Sequence, residues 1–241
     1  MVLGESYHPG GLALTRALLG HLGLRDGNRV LDVAAGPGAS ALLIAADHPV
    51  EVDGVDLSPS SVDHANAAAL EAGLGSRVRF HLGDAERLPF GDGVFDAAVC
   101  ECAFCTFPDK PTAATELARV LRPGGRLGIT DVTVTAGGLS GELAGLAGWV
   151  ACLAGARPLE EYSALLAGAG LRTVHTERHD AALARMVEEI EARLRALRMI
   201  RSTVPALASV DLDRALDLCA QAAAAVRDGV AGYAMLVAVR E

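Results

Sequence analysis

A short apolar run that passes through a glycine-rich bend into a helix most constrains how this chain can fold. Residues 29–33 (RVLDV) are mostly apolar and rich in β-branched side chains, which is typical of a strand buried on both faces. Gly36 and Gly38 follow, and residues 40–46 then continue as an apolar helix. A strand joined to a helix by a tight turn begins a βαβ unit, and such units build parallel sheets.

Strands and helices alternate along most of the sequence. Strands are predicted at residues 29–33, 50–57, 78–82, 94–100, 126–132, 171–177 and 232–239. Helices are predicted at residues 12–22, 40–46, 58–72, 112–121, 137–156, 159–167, 181–200 and 212–227. We therefore predict an α/β fold, a doubly wound and mostly parallel sheet of seven strands with helical cap insertions. The two long helices before the last strand are expected to cap a ligand crevice, or else to pack on the sheet edge.

Composition narrows the class of protein and its partners. With 51% hydrophobic and 21% charged residues, the chain has the material for a buried core and does not resemble a disordered protein. Its formal net charge of −9 disfavours nonspecific nucleic-acid binding. The first residues lack a secretory signal, and no apolar stretch reaches the roughly 20 residues of a membrane span. Five cysteines are an odd number, which argues against a disulfide framework and for reduced thiols. We expect a cytoplasmic protein whose partner is a small molecule and which binds neither nucleic acid nor a membrane. The sequence leaves the oligomeric state open.

The carboxyl ends of the strands are where a doubly wound sheet binds its ligand. Asp56 ends the second strand, twenty positions after Gly36, where a carboxylate can accept hydrogen bonds from both hydroxyls of a ribose. Residues 36–41 also satisfy the G-x-G-x-x-A form of the dinucleotide fingerprint. The bend alone is therefore compatible with a nicotinamide cofactor and with an adenosyl cofactor.

Five segments in order point to one family. The segments VLDVAAGPGASALLIA, VDGVDLSPSSVDHA, GDAERLPF, FDAAVCECAFCTFPD and ARVLRPGGRLGITDV, between residues 30 and 132, resemble the motifs of class I S-adenosylmethionine-dependent methyltransferases. The resemblance implies a Rossmann-like methyltransferase fold, S-adenosylmethionine as cofactor and methyl transfer to a small-molecule acceptor. It also implies that residues 1–135 form the cofactor-binding core, while residues 136–241 complete the sheet and cap the acceptor site within a single structural domain.

The resemblance assigns residues to the methionine part of the cofactor. Asp32 matches the acid of the first strand, and Ala34, Gly36 and Gly38 match the glycine-rich loop. Ala34 is a departure, because the family usually has Gly at that position. Cys100 lies where the fourth strand opens toward the methionine part.

The resemblance also assigns the nucleoside part. Asp56 matches the ribose-binding acid, with Leu57 against the adenine, while Asp84 and Ala85 match the pair that reads the adenine edge. A sulfonium is cationic, and Asp32 joins Asp56 and Asp84 in placing negative charge at adjacent strand ends. A dinucleotide pyrophosphate would instead favour an uncluttered helix N-terminus.

Cysteines follow the fourth strand closely. Cys100, Cys102 and Cys105 lie within six residues, and Cys152 sits in a segment that loosely resembles arsenite methyltransferases. Thiolates are soft ligands, and three of them near the methyl group would hold trivalent arsenic. Free cysteines also pack as small hydrophobes, and C-x-C-x-x-C is not a complete zinc set, so no metal is predicted. The alternatives are thiol-dependent arsenite or metalloid methylation, a noncatalytic adenosyl-ligand or metalloid-binding protein, and a nicotinamide-dependent oxidoreductase.

A few further residues are candidates for the acceptor side, and no motif assigns a catalytic group. Tyr7 and His8 precede the first helix and could fold over the cofactor as a lid and supply a base, or cap and pack. Asp131 ends the fifth strand and could orient an acceptor or cap the next turn. His175 and His179 are expected on one face of a strand, about 13 Å apart, as surface residues.

Overall fold

A computed structural model describes residues 8–137, 139, 143, 153, 155–205 and 210–241. Its strands are β1 (Arg29–Val33), β2 (Glu51–Asp56), β3 (Val78–Leu82), β4 (Phe95–Glu101), β5 (Leu121–Val134), β6 (Leu171–Arg178) and β7 (Ala231–Arg240). Its longer helices are α1 (Gly11–Leu22), α2 (Ala39–Asp47), α3 (Pro59–Glu71), α4 (Lys110–Val120), α5 (Leu159–Gly168), α6 (Asp180–Ile200) and α7 (Leu212–Arg227). Tyr7, Cys152 and most of the predicted helix at 137–156 lie outside the described residues.

The strands form one seven-stranded sheet in the order β3-β2-β1-β4-β5-β7-β6. The first five pair in parallel, and β7 runs antiparallel between β5 and β6. The predicted doubly wound, mostly parallel sheet is confirmed. Strand order reverses between β1 and β4, because the chain moves outward through β2 and β3 and then returns to the other side of β1. A crevice at the carboxyl ends of β1 and β4 is therefore the expected ligand site.

Local sequence explains where the helices begin. Ser58 caps α3 by accepting a hydrogen bond from the backbone N–H of Ser61, and Pro59 occupies the first turn, where its missing N–H costs nothing. Asp109 caps α4 in the same way through Thr112, so this helix starts two residues before its predicted position. The helix ends at Val120, and β5 begins at Leu121, earlier than the sequence predicts.

Both faces of the sheet are covered, and each has its own apolar core. Helices α1, α2 and α3 pack on one face, where Leu18 of α1 and Ile44 of α2 are fully buried. Helices α4 and α5 cover the other face through Leu117 and Leu166. This double covering is what makes the apolar runs of β1 and β4 buried on both sides.

Helices α6 and α7 form a hairpin that lies partly on the sheet. Leu183 and Val187, near the start of α6, join the core on the face that carries α1. Farther along, Ile190 and Leu194 pack with residues of α7 in a small separate cluster. Among the described residues, no helix has the length and apolar character needed to cross a membrane.

Candidate cofactor and acceptor site

A cavity of about 560 Å³ opens at the carboxyl ends of β1 and β4, where strand order reverses. Its walls come from the end of β1, the bend at residues 34–37, the first turns of α2 and α3, and residues 101–103 after β4. His8, from the segment before α1, also lines it. The cavity therefore lies where the sequence predicts the ligand site.

The bend after β1 uses left-handed backbone at three positions. Gly36 and Gly38 have φ of 53° and 88°, and Ala34 has φ of 57°. A Cβ on Gly38 would lie 2.6 Å from Cζ of Phe80, so this glycine is needed for packing of the bend on β3. A Cβ on Gly36 would meet nothing within 4 Å, and Gly36 lines the cavity. Ala34 stands where backbone geometry favours Gly, which explains why the family pattern has Gly there.

Asp32 is the most buried acid of the cavity, at 3% exposure. The backbone N–H of Ala41 donates to its carboxylate, while Oδ2 has no hydrogen-bond partner among the described residues. Burial, reinforced by the nearby charge of Glu101, raises the pKa of Asp32 well above its usual range. An unpartnered carboxylate oxygen in such a place is suited to a cationic ligand group.

Glu101 is a site residue that the sequence motifs did not identify. Its carboxylate accepts hydrogen bonds from Oγ1 of Thr15 (2.9 Å), Oγ of Ser40 (2.7 Å) and Oγ1 of Thr130 (3.3 Å). The side chain is 4% exposed and lines the cavity. Three hydroxyl donors from three different elements thus hold this buried carboxylate in place.

The side chain of Cys100 does not reach the cavity, whereas that of the next residue, Glu101, does. The Cys100 thiol is fully buried in the core on the α4 face, and it does not line the cavity. Successive side chains of a strand point to opposite faces, so the inward position at the end of β4 belongs to Glu101. Strand periodicity, counted from the end of β4, could have revealed this.

Asp56 connects the bend to β2. Its Oδ2 accepts the backbone N–H of Gly36 at 2.8 Å, and its Oδ1 accepts the backbone N–H of Ser58 at 2.9 Å. Each carboxylate oxygen keeps a second lone pair, so Asp56 can still accept hydrogen bonds from ribose hydroxyls.

The predicted adenine residues lie outside the cavity lining. Leu57 is 72% exposed, and Leu82, whose backbone pairs with Asp56, is also exposed. Asp84 is exposed and accepts the backbone N–H of Glu86, while Ala85 is buried. Leu57 and Leu82 thus each present an exposed apolar side chain at the ends of β2 and β3.

His8 approaches Glu101 from the N-terminal side. Nε2 of His8 lies 3.7 Å from Oε2 of Glu101 and 3.4 Å from Oγ1 of Thr15. Because the Thr15 hydroxyl gives its one hydrogen to Glu101, it can accept a hydrogen bond from Nε2 of His8. Nδ1 of His8 lies 3.3 Å from the carbonyl oxygen of Pro9.

The cysteines do not gather as the metalloid hypothesis requires. Cys102 lines the cavity, with φ of 53°, and its backbone N–H donates to Thr130. Cys105 is buried in the core with Cys100. Within the described part of the chain, the sulfur atoms of Cys100, Cys102 and Cys105 do not all come within 4.8 Å of one another. These three thiols therefore do not form a ready three-sulfur site.

Asp131 has a buried role in holding the backbone. Its Oδ2 accepts the backbone N–H of Cys105 at 2.8 Å, and its Oδ1 accepts that of Val132 at 2.7 Å. The side chain is fully buried and does not line the cavity, so of the two roles expected for it, the geometry fits fastening the turn after β4 to β5.

Comparison with known proteins decides the family. A methyltransferase domain matches residues 30–125. The 27-O-demethylrifamycin SV methyltransferase of Amycolatopsis mediterranei is 40% identical over 118 residues, which cover 49% of this chain and 43% of that protein. The crystal structure of the [4+2]-cyclase SpnF is 30% identical with a TM-score of 0.74, and the match covers 95% of this chain and 80% of that one.

The chain belongs to the class I S-adenosylmethionine-dependent methyltransferase family. The fold is also similar to that of a Haemonchus contortus phosphoethanolamine N-methyltransferase solved in complex with S-adenosyl-L-methionine, with a TM-score of 0.80 at 22% sequence identity. The match covers 99% of this chain and 55% of that one. The chain spans about half the length of the curated methyltransferases it matches. The family and the fold predicted from the sequence are confirmed.

The cavity fits the cofactor of the methyltransferase family. S-adenosylmethionine carries positive charge on its sulfonium and its amino group, and the cavity offers the unpartnered Oδ2 of Asp32 with Glu101 nearby. Asp56, which the sequence predicts for the ribose, holds the bend that lines the cavity, and Leu57, which it predicts for the adenine, presents an exposed apolar side chain. Charge and polarity thus change along the site in the order that the cofactor requires.

Proposed function

We propose that this protein transfers a methyl group from S-adenosylmethionine to a small-molecule acceptor. The single observation that carries the proposal is the acidic cavity where strand order reverses, with the buried and unpartnered Oδ2 of Asp32 in its wall. When bound, the cofactor supplies a methyl group on a positively charged sulfur. The protein then has to orient that group, exclude water and accept one proton from the acceptor.

Binding of the cofactor falls to the acids at the strand ends. Asp32 faces the cationic amino-acid part, with Gly36 allowing close approach of the backbone. Asp56 accepts the ribose hydroxyls while it holds the bend. Leu57 contacts the base, and Asp84 accepts from its amino group, as the family pattern implies.

His8 is the proposed base on the acceptor side. It receives the acceptor's proton on whichever ring nitrogen the neutral tautomer leaves without a hydrogen. The imidazolium that forms lies 3.7 Å from the Glu101 carboxylate, and its two N–H groups face the Thr15 hydroxyl and the carbonyl oxygen of Pro9. Glu101 positions His8 and stabilises its charged form, as a carboxylate does beside a catalytic histidine.

A hydroxyl group on a small organic molecule is the proposed acceptor. The rifamycin relative is named for methylation at an oxygen, and a neutral hydroxyl needs the base that His8 provides. Thiol-dependent metalloid methylation is not favoured, since Cys100, Cys102 and Cys105 do not gather.

We also propose that residues 1–135 form the cofactor core and that residues 136–241 complete the sheet and cap the acceptor. The protein is proposed to be cytoplasmic and not to bind nucleic acid, in keeping with its net charge of −9.

Ligand-induced thermal shift tests the cofactor assignment. S-adenosylhomocysteine should raise the melting temperature by several degrees at about 100 times its Kd, and NAD⁺ should leave it unchanged. A shift with NAD⁺ alone would overturn the assignment. Transfer of labelled methyl groups to a panel of hydroxyl-bearing small molecules then tests turnover.

The cyclase relative favours a second candidate. SpnF is 30% identical over most of both chains and is named for a [4+2] cyclisation, so this fold and this level of similarity also occur in a protein named for other chemistry. A protein that binds S-adenosylhomocysteine but transfers no methyl group to any acceptor would fit this candidate. Methyl transfer that is lost in His8→Ala would exclude it.

A further inference from the structure

We propose that His21, His175 and Glu177 form a binding site for a divalent metal ion of the zinc class. One ligand atom from each residue lies within 4.8 Å of the other two. None of the three residues lines the cofactor cavity. The proposed site is therefore separate from the site of the proposed function.

The edge of the sheet brings these residues together. His175 pairs with Val237 and Glu177 with Met235, and both partners belong to the core on the face covered by α1. Val174 is the extra residue of a β-bulge, where the register shifts between Thr173 and His175. Beyond the bulge, side chains two residues apart share one face, so His175 and Glu177 both face α1.

His21 comes from the last turn of α1, more than 150 residues earlier in the sequence. Its imidazole stacks on that of His175, with ring centroids 4.1 Å apart and planes within 17° of parallel. Glu177 places Oε2 3.6 Å from Nε2 of His175 and Oε1 3.5 Å from Nε2 of His179. Two histidines and a shared carboxylate thus lie in one cluster, with a third histidine beside the other oxygen of the carboxylate.

Two nitrogen atoms of this cluster have no hydrogen-bond partner in the part of the chain that the structure describes. Nε2 of His175 and Nε2 of His179 are buried, and neither makes a hydrogen bond to the described residues. Buried polar atoms in folded proteins are normally satisfied by protein, water or a metal. A cation in the plane of the His175 ring would satisfy its Nε2, His21 would turn out of the stacked arrangement to offer a nitrogen to the same ion, and Glu177 would neutralise part of the charge.

Two imidazoles and one carboxylate are a donor set that zinc takes, with water in the fourth position. With Zn–N bonds of about 2.0–2.1 Å, tetrahedral ligand atoms are about 3.3 Å apart. Closing the present separations to that value needs a movement that rotation of partly exposed side chains can supply. His179 would hold the second oxygen of Glu177, which is how outer partners commonly orient a ligating carboxylate.

The site would join α1 to the edge strand β6. Helix α1 also carries Thr15, which donates to Glu101, and it follows directly after His8. A metal at its C-terminal end would add a connection between distant parts of the chain. Because the ion binds the folded state, it would raise the thermal stability of the whole protein.

Calorimetric titration of ZnSO₄ into the chelator-treated, tag-free full chain tests the proposal. We expect one zinc ion per chain and a melting temperature about 5–10 °C higher at 100 times Kd. His21→Ala, His175→Ala and Glu177→Gln should each weaken zinc binding at least 100-fold, and His179→Ala should weaken it about 10–100-fold. Melting curves in chelator would establish that each variant folds.

Two control variants separate this site from other zinc ligands. His48→Ala removes a histidine at the end of α2, and Cys102→Ser removes the half-buried thiol of the cavity. Both should bind zinc as the wild type does. The proposal is overturned if the wild type shows no zinc binding at millimolar concentration, or if His21→Ala and His175→Ala bind it with wild-type affinity.

Discussion

The backbone N–H of Gly36 donates a 2.8 Å hydrogen bond to Oδ2 of Asp56, which fastens the bend after β1 to the end of β2. Oδ1 of the same carboxylate accepts the backbone N–H of Ser58 ahead of α3. One acid therefore organises the bend and the cap of the next helix. It does so while keeping lone pairs for a ribose.

Replacing this acid should harm both binding and stability. We expect Asp56→Ala to weaken binding of S-adenosylhomocysteine at least 100-fold, because ribose acceptors and the anchor of the bend are lost together. Loss of two hydrogen bonds to a half-buried carboxylate should lower the free energy of unfolding by about 1–3 kcal/mol. Calorimetry and denaturant titration measure the two effects. Asp63→Asn, an exposed acid on α3, is the matched control and should change neither. Wild-type affinity in Asp56→Ala would remove Asp56 from the ribose site.

Asp32→Asn should stabilise the ligand-free protein and weaken binding of the cofactor. Burial raises the folded-state pKa of Asp32, so the folded state binds more protons than the unfolded state. The free energy of unfolding therefore falls as pH rises from the unfolded pKa of about 3.9 through the raised folded pKa, and the loss is complete above it. The variant lacks this loss and should be at least about 1 kcal/mol more stable than wild type at pH 7.

The pH dependence of that difference is the decisive measurement. Melting curves should show the gap between Asp32→Asn and wild type closing as pH falls toward 4. Affinity for S-adenosylhomocysteine should fall at least tenfold in the variant at pH 7, because a neutral amide replaces the carboxylate that faces the ligand's amino group. A gap that is constant with pH would contradict the raised pKa.

Gly38→Ala should be far more costly than an alanine at another left-handed glycine. An alanine at position 38 would have to keep φ of 88°, which strains its backbone. Its Cβ would also lie 2.6 Å from Phe80, so overpacking adds to that strain. We expect a loss of about 2–5 kcal/mol in the free energy of unfolding. Gly23 has φ of 63°, and a Cβ there would meet nothing within 4 Å. Gly23→Ala therefore reports the backbone strain alone and should lower the free energy of unfolding by about 1–2 kcal/mol. Equal losses in a denaturant titration would show that packing on Phe80 is unimportant.

His8→Ala should reduce kcat and leave cofactor binding nearly unchanged. General-base catalysis contributes about 10²–10⁴-fold, so kcat with a hydroxyl acceptor should fall within that range. Glu101→Gln keeps the shape of the side chain but removes its charge, and it should lower kcat about tenfold or more. Unaltered kcat in His8→Ala, measured at saturating acceptor, would show that another group accepts the proton.

Local sequence patterns were sufficient for the elements and for part of the site. The strand at 29–33, the cap at Ser58 and the acids Asp32 and Asp56 could be predicted because each depends on residues near one another in the chain. The same reasoning named Cys100 at the end of β4 and did not identify Glu101, whose side chain lines the cavity. A one-residue error on a strand moves the side chain to the opposite face of the sheet.

The amino-acid sequence by itself determined the alternation of strands and helices, the glycine bend and the family, because these depend on short-range periodicity and on motifs. The tertiary structure alone decided which side chains meet. Glu101 receives hydroxyls from Thr15, Ser40 and Thr130, and His21 stacks on His175 across the edge of the sheet. Such contacts depend on strand order, on register and on a single bulge, and a local pattern carries no information about any of the three.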